Sequence, residues 1–136
     1  TIPRANVVVR DGRIVAVGPE VAIPEGLPVT DGAGRTLLPG LIDAHVHGYD
    51  DGALVDALNF GVTTVLDQMG DPAKLRELKA ARESHGATGH ADLYGSGWAA
   101  TVPKGHGTQF GLPVPTLTTP AEADAFVAAR FAEGSD

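Results

Sequence analysis

The rhythm of hydrophobic positions changes near Pro39. Before it, short β-branched runs alternate with turn residues. Asn6-Val7-Val8-Val9 and Arg13-Ile14-Val15-Ala16-Val17 flank Arg10-Asp11-Gly12. Asp-Gly readily supplies the positive φ of a tight turn, so this spacing predicts a hairpin. Val29-Thr30 and Thr36-Leu37-Leu38, on either side of Asp31-Gly32-Ala33-Gly34, predict a second ribbon. Residues 1–38 therefore read as a small β unit.

From residue 39 onward, strand patterns alternate with helical ones. Leu41 to His47 reads as a short strand, and Ala53 to Phe60 as a helix stopped by Gly61. Val62 to Leu66 is the next strand. Asp71-Pro72 supplies an N-cap with proline at the first helical position, and Leu75 and Leu78 share one face of a helix running to about His85. His85 and His90 bracket the end of that helix and read as surface or capping residues. Ala91 to Tyr94 is a third strand, opening into a loop from about Gly95 to Leu117 that is rich in Gly, Thr and Pro. Thr119-Pro120-Ala121-Glu122 then reads as a capping box for a helix carrying Phe126, Val127 and Phe131 and ending near Gly134.

Three strand–helix units in succession predict a parallel sheet with right-handed crossovers. The expected class is α/β: a small N-terminal β-sandwich part over 1–38, then the first three β/α units of a truncated (β/α)8 barrel over 39–136. A complete barrel takes roughly 250 residues, and this chain has 136. The expectation is that further units follow Asp136.

Composition narrows the chemistry. Ten Lys and Arg against seventeen Asp and Glu give a formal charge of −7, which repels phosphate backbones and argues against nucleic acid as a partner. There is no cysteine, so a metal would have to be held by His, Asp, Glu or a modified side chain. No run of about 18 apolar residues predicts a membrane span. The lack of cysteine is compatible with the cytoplasm, the expected location, although the chain opens at Thr1 and a targeting segment could precede it.

The most informative stretch is Leu38-Pro39-Gly40-Leu41-Ile42-Asp43-Ala44-His45-Val46-His47-Gly48. Alternation along a strand sends Asp43, His45 and His47 to one side and Ile42, Ala44 and Val46 to the other. The apolar set suits packing under helices. Two imidazoles on an enclosed face are costly unless something binds them. A divalent cation does so, since neutral imidazole is a good ligand for zinc and several other transition metals. The competing reading is a pair of structural histidines satisfied by hydrogen bonds, because a bare His-x-His is common.

Taken with its surroundings, this block resembles the first barrel strand of the amidohydrolase superfamily nearly residue for residue. Val9 to Gly18 is similar to that family's N-terminal β-sandwich hairpin, and Gly61-Val62-Thr63-Thr64-Val65 to its second barrel strand. Within the superfamily, the wording is closest to imidazolonepropionase-like and prolidase-like hydrolases. The resemblance implies a distorted (β/α)8 barrel with one or two divalent metals, most often zinc, and His45 and His47 as ligands of the more buried one. It also implies a Lys or Glu, two more His and a catalytic Asp from later strands. None of these can be matched here: Lys74, Lys79 and Lys104 fall on a helix or in the long loop. The implied activity is hydrolysis of a carbon–nitrogen bond in an amide, cyclic amide or dipeptide-like small molecule by a metal-activated water. Residues 1–136 alone are expected to be inactive. Asp43 is read as a residue orienting the metal ligands from behind or as a structural partner.

Other positions carry weaker signals. His106, in Gly105-His106-Gly107-Thr108, lies in the long loop and either contacts substrate or is a solvent-exposed turn histidine. Trp98 and Phe110 either line a pocket or anchor the loop. Asp67 and Gln68 end the second strand on the side where chemistry is expected, but the start of the next helix explains them equally well. The rival function is a non-catalytic scaffold that keeps the fold without the metal, or a structural piece that associates with the remainder of the protein. Self-association is the other expected partnership.

Overall fold

A computed structural model describes residues 1–48, 50–84 and 89–136. These divide into two compact units, Thr1–Leu37 and Leu38–Asp136.

The first unit is built on an antiparallel hairpin of β1 (Asn6–Arg10) and β2 (Arg13–Gly18). Asp11 and Gly12 both have positive φ, 50° and 71°, the combination that matches a two-residue turn to strand twist. A register irregularity between Val8 and Val9 adds local twist, and Val8 is the one valine of this hairpin that is buried. The Asn6 amide donates to the Val21 carbonyl at 2.8 Å and draws the following segment against the hairpin. The second ribbon does not form. Its turn is present, with the Arg35 N–H donating to the Gly32 carbonyl at 2.8 Å and the Ala33 N–H to Asp31 Oδ1 at 2.8 Å. Its flanks stay extended without a ladder, because Val29, Leu37 and Leu38 are 66–72% exposed and bury nothing that would hold a register.

The second unit contains a parallel three-stranded sheet in the order β3-β4-β5. Its elements are β3 (Leu41–Val46), α1 (Asp51–Asn59), β4 (Val62–Asp67), α2 (Pro72–Glu83), β5 (Asp92–Gly95) and α3 (Ala123–Glu133). Local chemistry places the ends. Asp50 caps α1, accepting from the Ala53 N–H at 2.8 Å, and Gly61 at φ 86° follows its last turn. Asp71 caps α2 from the N–H of Ala73, with Pro72 behind it. α2 ends at Glu83 with Ser84 as its C-cap, close to the end expected near His85; His85 itself lies outside the described residues. The expected capping box before α3 forms only in part. Glu122 reaches back to the N–H and hydroxyl of Thr118, at 2.8 and 2.7 Å, while Thr119 makes no side-chain cap. A 3₁₀ turn, Pro120–Glu122, occupies the capping position and α3 begins only at Ala123.

Leu54 of α1, Val65 of β4, Leu75 and Leu78 of α2, and Ala91 and Leu93 at β5 form one buried cluster, joined by Val46, Ala57 and Val62. Both helices thus share a single core against the sheet. Ile42, expected to pack beneath the helices alongside Val46, is 65% exposed.

The long loop after β5 is folded on itself. Thr101 and Thr116 form a parallel bridge and the Leu117 N–H donates to the Thr101 carbonyl at 2.7 Å. Among the described residues, no helix is long and apolar enough to cross a membrane.

Candidate metal centre

The approach to β3 is sterically set. Leu41 enters the sheet by donating its N–H to the Gly61 carbonyl at 2.9 Å, and this brings Gly40 against Thr63. A Cβ at residue 40 would lie 2.1 Å from Thr63 Oγ1, so only glycine fits there.

Farther along, the pairing of β3 with β4 is irregular. Asp43 pairs with Val65 and Val46 with Asp67, so three steps on one strand match two on the other. Simple alternation therefore does not govern this stretch, as it was expected to. Two side chains brace the irregular part. Asp43 Oδ1 accepts from the backbone N–H of His45 at 3.1 Å. Gln68 donates its side-chain N–H to the Ala44 carbonyl at 3.2 Å, while its backbone N–H donates to the Val46 carbonyl at 3.1 Å. The carboxylate of Asp43 thus acts on the main chain of a histidine.

His45 and His47 emerge from this braced segment as neighbours. Their ring centroids are 5.7 Å apart and their planes stand at 88°. Two imidazoles bound to one zinc at about 2.0–2.1 Å have centroids on the order of 5 Å apart, so the pair fits as half of a tetrahedral donor set. Both residues are exposed, and among the described residues no group of three His, Asp or Glu is arranged to hold a metal.

The residue that sequence reasoning undervalued is Asp67. It ends β4, shares the alternation of buried Val65, and is only 4% exposed. Its Oδ1 lies 3.9 Å from His47 Nδ1 and accepts from the Met69 N–H at 3.2 Å. Burial raises the Asp67 pKa above the ordinary carboxylate value, and hydrogen bonds from the N–H groups of Met69 and Gly48, then the charge of His47, work against that rise. Asp67 lines a cavity of about 40 Å³ with Gly48, Asp71, Lys74, Leu75, Leu78 and Leu93, beside the first turn of α2. The signal available in the sequence was its two-residue spacing from Val65, which marks a carboxylate on a core-facing position.

The loop residues are placed as follows. His106 is exposed and meets Phe110 edge-on at 6.1 Å within the loop itself. Its neighbour Gly107 packs near Met69, since a Cβ there would sit 3.3 Å from Met69 Sδ. The loop is thus moored to the segment just after Asp67. Trp98 is half-buried at the loop's start. His90 is half-buried, with Nδ1 2.8 Å from the Ala91 carbonyl.

No family model matches the chain. A dihydroorotase of Mycobacterium tuberculosis is 48% identical over 44 residues, which is 32% of this chain and 10% of that enzyme. An adenine deaminase of Paracoccus denitrificans is 35% identical over 89 residues, 60% of this chain and 15% of the relative. An imidazolonepropionase of Shewanella frigidimarina is 48% identical over 50 residues, 34% and 12% respectively. All of these proteins are members of the amidohydrolase superfamily. Over part of its length the chain is similar to amidohydrolases.

The fold agrees. The crystal structure of a prolidase complexed with N-methylphosphonate-L-proline matches with a TM-score of 0.73, covering 96% of this chain and 40% of that one at 20% identity. The amidohydrolases matched by sequence are hydrolases acting on carbon–nitrogen bonds. The matched stretch spans no more than 15% of any of these three. What the chain shares with that prolidase is the fold of a mixed α/β unit with two sheets, and with the relatives matched by sequence a segment of their length.

Proposed function

We propose that the protein is a metal-dependent hydrolase that cleaves a carbon–nitrogen bond in a small amide, cyclic amide or dipeptide-like molecule. The observation supporting this most directly is the His45–His47 pair, edge-on at 5.7 Å at the end of a braced parallel strand. In this reading the two imidazoles hold a divalent cation, with zinc the first choice among the ions that neutral imidazole binds well. Such a cation would supply Lewis acidity, polarising a carbonyl and lowering the pKa of a bound water to about 7.

The chain's own groups set the geometry. Gln68 and Asp43 fix the main chain that carries the histidines. The loop bearing Trp98 and His106 contacts the substrate, and its mooring through Gly107 near Met69 keeps it close to the end of β4. The three parallel strands are part of a larger (β/α)8 barrel whose remaining strands complete the donor set and contribute the acid–base carboxylate. The 40% coverage of a prolidase chain supports that reading.

The test is metal content. The whole protein and its His45→Ala/His47→Ala double variant are purified without chelator and analysed for elements. The expected result is a divalent transition metal in the first and its loss in the second. Equal content in both overturns the assignment.

A further inference from the structure

Asp67 is a buried carboxylate in a pocket shaped to hold it. A Cβ at Gly70 would come within 2.0 Å of Asp67 Oδ2, so the bare backbone of residue 70 makes the room the carboxylate occupies. The Met69 N–H fixes Oδ1 from one side at 3.2 Å, and the Gly48 N–H approaches from the segment just after β3 and next to His47. A carboxylate at 4% exposure costs free energy unless a positive or proton-donating group faces it. His47 Nδ1, at 3.9 Å from Oδ1, is such a group. That separation is in ion-pair range, about 1 Å longer than a hydrogen bond.

A histidine that binds a cation through one ring nitrogen generally donates its other N–H to a carboxylate or carbonyl, which fixes the tautomer and raises the basicity of the ligating nitrogen. With Nδ1 of His47 on the Asp67 side, this carboxylate–imidazole–metal pattern assigns Nε2 to the metal. We infer that Asp67 is the positioning residue of the metal centre: it holds the proton of His47 on Nδ1 and presents Nε2 as the ligand. This rests on the metal-centre reading above, and deepens it by assigning the nitrogen through which His47 binds. Asp67 does not itself ligate, because two backbone N–H groups and the Gly70 backbone hold it among core residues.

The experiment has two readouts on the whole protein. In zinc-free, ¹⁵N-histidine-labelled protein, the His47 ring is expected in the Nδ1–H form, assigned by comparison with His47→Gln. In Asp67→Asn it shifts toward the Nε2–H form. Zinc affinity, measured by competition with a chromophoric chelator, is expected to fall about 10- to 100-fold in Asp67→Asn. Gly70→Ala is the second variant, in case Asp67→Asn does not fold. It keeps the carboxylate but drives a methyl into its place, and is expected to lower zinc affinity in the same direction. Asp71→Ala, which removes only the α2 cap beside the same cavity, should lower the melting temperature and leave zinc affinity unchanged. An unaltered His47 tautomer together with unaltered zinc affinity in the folded variants overturns the role of Asp67. Zinc binding that is insensitive to His45→Ala/His47→Ala overturns the metal-centre reading instead, and the tautomer in zinc-free protein still decides whether Asp67 controls His47.

Discussion

Arg82 and Asp136 meet at the end of β5, with guanidinium Nη2 2.6 Å from Oδ1 of the carboxylate. The same guanidinium donates to the Leu93 carbonyl and lies 3.7 Å from the centroid of the Tyr94 ring. Asp136 in turn accepts from the Gly95 N–H at 3.1 Å and pairs with Lys79 at 3.3 Å. The cluster ties the segment after α3 to α2 and to the third strand.

Its pH signature follows from Asp136. Burial opposes the ionised carboxylate, but the hydrogen bonds from Arg82 and Gly95 outweigh it and hold the pKa below the ordinary value. A carboxylate with a depressed folded pKa contributes stability that is present above its unfolded value, about 3.9, and is lost as pH falls through the folded value. Asp136→Asn should therefore cost about 1–2 kcal/mol at neutral pH and flatten the fall of melting temperature below about pH 4. Thermal melts from pH 2.5 to 7 decide it; parallel curves for the two proteins would remove Asp136 from the account.

Gly40 offers a steric prediction. Alanine there meets Thr63 Oγ1 at 2.1 Å and Cγ2 at 2.3 Å, so Gly40→Ala should destabilise by about 1–3 kcal/mol through overpacking. Adding Thr63→Ala should recover part of the loss and not all of it, since Cβ of residue 63 would remain 2.7 Å away. Urea unfolding measures both. A midpoint for Gly40→Ala equal to that of the parent would contradict the close approach of the two strands.

Residues 1–136 by themselves are expected to bind zinc weakly and to show no amide hydrolysis. Two imidazoles fill two of four tetrahedral positions, and among the described residues no third His, Asp or Glu joins them. Calorimetric titration with zinc is the check, and tight stoichiometric binding would mean that the donor set is already complete.

The same piece is also expected to self-associate. Among the described residues β3 pairs only with β4, and Leu41 and Ile42 on that edge strand are 60% and 65% exposed; Phe60, next to the Gly61 whose carbonyl takes the Leu41 N–H, is 84% exposed. Free edges and exposed apolar groups favour strand addition between molecules. Sedimentation of residues 1–136 should show mass rising with concentration, and Ile42→Lys should reduce it. A concentration-independent monomer would show that the exposed edge is no docking surface.

Much of the fold was legible because it rests on short-range chemistry. The Asp11-Gly12 turn, the Asp71-Pro72 helix start and the stops at Gly61 and Gly134 depend on φ preferences and on side chains that reach only a few residues. The helix faces of Leu54, Leu75 and Leu78 likewise follow from periodicity. The second ribbon failed because a turn sequence does not guarantee a ladder: Val29 and Leu37 found no surface to bury against.

Tertiary structure decided what depends on residues far apart in the chain. The register shift between Asp43 and Val46 arises where β3 meets β4, and strand alternation alone cannot reveal it. Asp67 reads in sequence equally as a strand end on the side where chemistry is expected and as the start of the next helix. It becomes a buried carboxylate beside His47 only because parallel pairing brings the ends of β3 and β4 together and leaves Gly70 to make room. Arg82 and Asp136, 54 residues apart, meet because β5 and the end of α3 pack on α2. Local dihedral preference is carried by each residue and its neighbours, whereas desolvation and charge pairing are set by whatever the folded chain brings into contact.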